Sequence, residues 1–179
     1  WEQTTIGAGG PTTWQELLTG GTEILQASNK VVGIGLGESD NDGEYAFRSV
    51  LWSFGAGIQN AAGEVNIDTP ETIAALEYYR SLFAACMDTN IDDYTTWDAT
   101  GNNLAYLEDR SHCALNPISV YRAAQRNEPA IAEDTFIAAP LAAEGAETWT
   151  PTSALSYVMP RFAQNKDLAK RFMLHVIDN

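Results

Sequence analysis

The segment Val31-Val32-Gly33-Ile34-Gly35-Leu36 constrains this chain more than any other. It is apolar, rich in β-branched residues and too short for a helix, and the polar loop from Glu38 to Gly43 follows it. That pattern reads as a strand buried on both faces, which needs helices to cover it. The flanks supply them. Upstream, Pro11-Thr12-Thr13-Trp14 puts a proline in a first helical turn, and Trp14, Leu17, Leu18, Ile24 and Leu25 follow at helical spacing. Downstream, a second helix is expected over residues 45–54.

The sharpest helix signal is Thr69-Pro70-Glu71-Thr72: a cap residue, a proline at the first helical position and an acid facing the positive helix end. Residues 63–68 form the turn and short extended entry to it. Its apolar positions Ile73, Leu76 and Phe83, with Tyr79 among them, are expected to pack on a sheet. Beyond the polar connection at residues 90–94, helices are expected over 102–108, 120–125 and 166–177. Strands are expected at 113–116, 136–139 and 155–159. The final helix carries Leu168, Phe172 and Val176, a stripe spaced by four that needs cover. Alternating strands and helices give an α/β layer structure, in which ligands bind at the carboxyl ends of strands. With 179 residues and no internal linker, residues 1–179 read as one domain.

Charge and motifs remove several functions. Ten Lys and Arg against 24 Asp and Glu give a net charge of -14, so the surface repels phosphate and nucleic acid is not an expected partner. No apolar run reaches the roughly 18 residues of a membrane-spanning helix, and Trp1-Glu2-Gln3-Thr4-Thr5 lacks the order of a signal peptide, so the chain is expected to be soluble. Cys86 and Cys113 leave a disulfide or two buried thiols open. His112 and His175 lie in no metal-spaced or nucleophile motif, and each is expected to be structural. Gly33-Ile34-Gly35-Leu36-Gly37 lacks the third glycine of a dinucleotide fingerprint. The stretch from Glu38 to Gly43 begins like a calcium loop, but Ser49 stands where the bidentate Glu belongs. No catalytic residue, metal ligand or cofactor is expected, and the chain does not read as an enzyme.

Five segments, in order, resemble the family 1 extracellular solute-binding proteins of ABC importers, the carbohydrate-binding kind that includes maltose-binding protein. They are Pro11-Thr12-Thr13-Trp14-Gln15-Glu16-Leu17-Leu18, Leu51-Trp52-Ser53-Phe54-Gly55-Ala56, and Asp68-Thr69-Pro70-Glu71-Thr72-Ile73-Ala74-Ala75-Leu76. The last two are Gly101-Asn102-Asn103-Leu104-Ala105-Tyr106-Leu107 and Ala114-Leu115-Asn116-Pro117-Ile118-Ser119-Val120-Tyr121. Such proteins run to about twice this length. The resemblance therefore implies one lobe of a periplasmic-binding-protein type II fold, a mixed sheet flanked by helices, with the other lobe of the same protein missing. It further implies a small-molecule solute, most simply a carbohydrate, and docking on the importer's membrane subunits after hinge closure. The location it implies is extracellular or periplasmic, secreted or lipid-anchored.

Sugar rings present an apolar C–H face and a hydroxyl rim, so a site for them pairs aromatic plates with planar amides and carboxylates. Tyr45 follows the polar loop at a position resembling a ligand contact of maltose-binding protein. Asn116, Ser119 and Tyr121 resemble the late cleft segment, with serine replacing one of the aromatics. Trp52 on the second helix, Trp97 and Asp98 in the polar connection, and Trp149 with Ser153 in a late loop complete the expected ligand set. Two other solute classes stay open on the same scaffold: a polyol or glycerophosphodiester, and a polyamine, which would suit the acidity. From another class, a glycosidase would use Asp92, Asp93 or Asp98 as its paired carboxylates.

Overall fold

The computed structural model describes residues 1–37, 41–87, 91–151 and 156–178. The first helix, α1 (Trp14–Ser28), starts three residues after Pro11 because Thr13 caps it. The Thr13 hydroxyl accepts from Glu16 N at 3.1 Å, and the Glu16 carboxylate accepts from Thr13 N at 3.1 Å and Thr12 N at 2.7 Å, closing a capping box. Asn29 ends α1 in the left-handed region, φ 59° and ψ 21°, donating to the Leu25 carbonyl.

The chain then enters β1 (Val31–Gly33), which pairs in parallel with β2 (Ser111–Ala114). The expected strand over 31–36 is cut short: Ile34 N turns back to Val32 O, and Leu36 N donates to Tyr94 O. The strand expected at 113–116 starts two residues early and stops at Ala114. Val31 pairs with Ser111 and Val32 with Cys113, so His112 is an extra residue at a bulge. Its ring meets Trp1 edge-on at 5.1 Å, and neither ring nitrogen has a hydrogen-bond partner among the described residues. Burial, with smaller contributions from the Trp1 amino group and Lys30, lowers its pKa to about 4. The α/β class holds, with a sheet of two parallel strands among the described residues.

Around β1 pack α1, α2 (Asn41–Ser53) and α3 (Pro70–Cys86). The second helix begins four residues earlier than expected and takes Asp42 and Gly43 out of the polar loop. Trp14, Leu17, Val32, Ile34, Val50, Leu51 and Leu82 are all within 2% of complete burial. Polar links cross this core: Trp14 Nε1 donates to Ser53 Oγ at 3.0 Å, and the Tyr78 hydroxyl donates to Trp14 O at 2.5 Å. Thr69 caps α3 as expected, and Tyr79 is buried and Phe83 packs against the core as expected, but the inward face is turned away from Ile73 and Leu76. Thr72, Ala75, Tyr78, Tyr79, Leu82 and Cys86 point inward, while Ile73 and Leu76 are about half exposed. Two aromatic contacts set that rotation: Tyr78 reaches α1, and Tyr79 packs on Phe47 of α2 at 5.2 Å between ring centroids. Ala75, fully buried, has no bulk to hold the helices apart.

The remaining elements are short: α4 (Ile91–Thr96) within the expected connection, α5 (Gly101–Leu107), α6 (Ser119–Asn127) and α7 (Pro129–Glu133). The strand expected at 136–139 does not form, and Phe136 and Ile137 stay exposed because no neighbouring strand takes up that backbone. No strand occurs at 156–159 either, and Leu155, where it was to begin, lies outside the described residues. The last helix, α8 (Lys166–Asp178), forms as expected but has no buried residue. Cys86 and Cys113 are free thiols. Cys86 is fully buried and donates to Leu18 O at 3.3 Å, and burial pushes the Cys113 thiol up to about 12. No helix among the described residues is long and apolar enough to cross a membrane.

Candidate functional site

Parallel strands send their carboxyl ends the same way, and the segments that leave them meet there. From β1 the chain reaches the first turn of α2, where Asp42 sits. From β2 it reaches Asn116 and then Ser119 at the start of α6. Between them the first turn of α5 brings Asn102 and Asn103. These five side chains form one hydrogen-bonded cluster. Asp42 Oδ2 accepts from Asn102 Nδ2 and from Asn116 Nδ2, each at 3.3 Å. Asn116 Nδ2 also donates to Asn103 Oδ1 at 2.6 Å, and Ser119 Oγ donates to Asn116 Oδ1 at 3.4 Å. Asn102 is 1% exposed and its carbonyl accepts from Asn103 N at 2.8 Å, so it anchors the group from below. Asp42, Asn103 and Asn116 are half-buried, open on one side.

The flank of α2 continues the site. Asp42, Tyr45 and Trp52 stand at i, i+3 and i+10, within about a quarter turn of one another on the helix. Ala46, Val50 and Leu51 on the other side enter the core. Tyr45 and Trp52 are both half-buried. Tyr45 lies about one turn and Trp52 about three turns, roughly 15 Å, along α2 from the Asp42 carboxylate.

The other expected ligand residues lie elsewhere. Trp97 packs on Tyr94 at 5.0 Å between ring centroids and lies against Gly101, where a Cβ would come within 2.4 Å of the indole. Gly37 is required by the same residue, since a Cβ there would lie 1.8 Å from the Trp97 carbonyl oxygen. Trp97 helps line a recess of about 240 Å³ with Lys30, Val31, Asp109 and Arg110, at the amino ends of the strands. Lys30 Nζ and Asp109 Oδ1 pair across it at 2.6 Å. The exposed Asp98 carboxylate accepts from Thr100 Oγ1 at 2.6 Å and Thr100 N at 2.8 Å, which lowers its pKa and holds the turn into α5. Tyr121 lines a separate shallow hollow of about 280 Å³ with Gln125, Pro129, Ala132 and Glu133. Trp149 is 48% exposed in a late coil, and Ser153 lies outside the described residues. No group of three His, Cys, Asp or Glu side chains that could hold a metal ion occurs among the described residues.

The cluster thus stands at the carboxyl ends of two parallel strands, and the sequence as a whole says which family carries it. Residues 1–173 match the family model described as bacterial extracellular solute-binding protein. The chain belongs to that family. It is similar to an Escherichia coli (strain K12) protein, YcjN, whose name describes an ABC transporter periplasmic-binding protein. The two are 35% identical over 96 residues, 53% of this chain and 22% of YcjN. The fold is similar to that of maltose-bound T. maritima MalE3, with a TM-score of 0.65 and 23% identity, covering 77% of this chain and 35% of MalE3. It is also similar to a protein described as an oligosaccharide periplasmic-binding protein, from Synechococcus sp. MITs9220, solved in complex with zinc. There the TM-score is 0.66 and the identity 16%, covering 94% of this chain and 40% of the other. The chain thus spans well under half the length of the proteins it matches.

Sequence reasoning named Asn116, Ser119, Tyr45 and Trp52 but not Asp42, Asn102 or Asn103. Asn102 and Asn103 lie inside the segment Gly101 to Leu107 that carried the family resemblance. A signal for Asp42 existed too, since it follows β1 as Asn116 follows β2 and both then fall at the strand ends where ligands bind.

Proposed function

We propose that this chain is a ligand-gripping lobe of a carrier that captures a sugar or oligosaccharide outside the cytoplasm and passes it to the membrane subunits of an ABC importer. The observation that carries the reading is the Asp42, Asn102, Asn103 and Asn116 cluster beside the aromatic flank of Tyr45 and Trp52. Planar amides and a carboxylate read hydroxyls in pairs, while half-buried rings cover the apolar face of a pyranose. The sugars printed in the names of two structural neighbours, maltose and oligosaccharide, point the same way. The description of YcjN as an ABC transporter periplasmic-binding protein supports transfer to an importer. The carrier works by binding and release, with a second lobe closing over the ligand. It is secreted or held at the envelope by a lipid anchor, and no cofactor takes part.

The test is a thermal-shift screen of this chain, and of a full-length binding protein containing it, against mono- and oligosaccharides, polyols, glycerophosphodiesters and polyamines. A ligand that binds only the folded state raises the melting temperature, by about 2.7 kcal/mol of added stability at a hundredfold excess over Kd. The expected result is a sugar-specific shift in the full-length protein and a smaller one in this lobe, with the sugar recovered intact. A response to polyamines or polyols alone would remove the carbohydrate assignment, and cleavage of the sugar would make the protein a glycosidase.

A further inference from the structure

We propose that Asp42 sets the polarity of an amide relay, Asp42 to Asn116 to Asn103, that leaves the Asn103 side-chain nitrogen as the donor facing the ligand. The inference rests on the reading of this cluster as the solute site. An ionised carboxylate can only accept hydrogen bonds, whereas an asparagine amide accepts on one side and donates on the other. Asp42 Oδ2 therefore forces Asn116 to turn its NH2 group inward, at 3.3 Å. The second proton on that nitrogen goes to Asn103 at 2.6 Å, which fixes the Asn103 oxygen on the inner side. Both Asn116 donors are then spent on the protein. The Asn103 NH2 group is left pointing away from its bonded oxygen, with no partner among the described residues, on a half-buried residue.

The consequence moves the ligand contact expected at Asn116 to Asn103, a residue to which the sequence reading gave no role. Asn116 is a positioning residue, and Asn103 is the ligand-contacting, specificity-determining one. The group it meets on the solute must be an acceptor oxygen: a sugar hydroxyl used through its lone pair, or a ring or glycosidic oxygen. Asn102 buttresses the relay, donating to the same Asp42 oxygen at 3.3 Å and holding the Asn103 backbone at 2.8 Å.

Two measurements test this. In side-chain amide spectra of the protein without ligand, the Asn116 NH2 protons are expected to exchange with solvent at least about tenfold more slowly than those of Asn103. Asp42→Leu, which is close in shape and removes the acceptor, should erase that difference. Faster exchange at Asn116 than at Asn103, or no change in Asp42→Leu, would overturn the relay. The second measurement titrates maltose and its monodeoxy and monodeoxyfluoro analogues into the wild type and Asn103→Asp, at low and at high salt. Asn103→Asp keeps the oxygen that Asn116 bonds but removes both outward donors, and the high-salt series screens its added charge.

The expected result is a loss of about tenfold in maltose affinity in Asn103→Asp that persists in high salt. At one sugar position the wild type should tolerate fluorine, which accepts but cannot donate, better than hydrogen, and Asn103→Asp should not distinguish the two. Equal losses for hydrogen and fluorine at every position would overturn the assignment of Asn103 as donor. If no sugar binds the wild type, the carbohydrate reading fails, and the exchange measurement alone decides the relay.

Discussion

α3 and α8 are two amphipathic helices that the sequence marks in the same way, and the structure treats them oppositely. α3 buries six side chains, Ala75, Leu82 and Cys86 completely, against α1 and α2. α8 buries none: Leu168, Phe172 and Leu174 are each about 60% exposed. The difference lies in what stands opposite. α3 meets Trp14, Phe47 and the strand core, whereas among the described residues the stripe of α8 meets no apolar face. Helical periodicity thus states that cover is needed, and tertiary contacts decide whether it is present.

Mutations in the two regions should separate cleanly. Leu82→Ala, which opens a cavity in the α1, α2 and α3 core, is expected to cost about 2–5 kcal/mol in urea unfolding. A cost below about 1 kcal/mol would mean that the core is loose enough to collapse around the gap. The same packed region carries a pH dependence. His112 is held at about 4 in the fold against 6.5 in the unfolded chain, so between those values the unfolded state binds more protons. Stability is therefore intact above pH 6.5 and falls as the pH drops toward 4, by up to about 3 kcal/mol. His112→Phe should flatten the urea midpoint against pH over that window relative to wild type, and an unchanged slope would place the ring in water.

At the edge of the packed region, Thr69→Ala removes the α3 cap, whose hydroxyl accepts from Thr72 N at 3.2 Å, and is expected to cost about 1 kcal/mol. The smallest effect is expected from Phe172→Ala on α8, within about 0.5 kcal/mol of wild type in this chain. A large loss there would show that the stripe is covered after all and would erase the contrast with α3.

The same contrast explains what could be read in advance. Caps are local chemistry, so Thr69 and Pro70 located α3 to the residue. The face that α3 buries was not local: Tyr78 and Tyr79 turn it toward Trp14 and Phe47, residues 64 and 32 positions away, and Ile73 and Leu76 go outward. The site divides likewise. Asn116 and Ser119 were legible because a strand end and a helix start adjoin in sequence. Asp42 was hidden because its bond to Asn116 spans 74 residues, and only the parallel pairing of β1 with β2 closes that distance. Trp97 was singled out as an indole in a polar stretch, but such a stretch can still fold its ring inward, here over Gly101.

The two free thiols have a practical consequence. Cys86 is sealed in the core, and the Cys113 thiol stays protonated far above neutral pH, so neither supplies the thiolate that alkylating dyes attack. A single cysteine introduced beside Asp42 would take a fluorophore alone, with no native residue to remove first. Such a label would report on the surroundings of the Asp42 cluster without interference from the two native thiols.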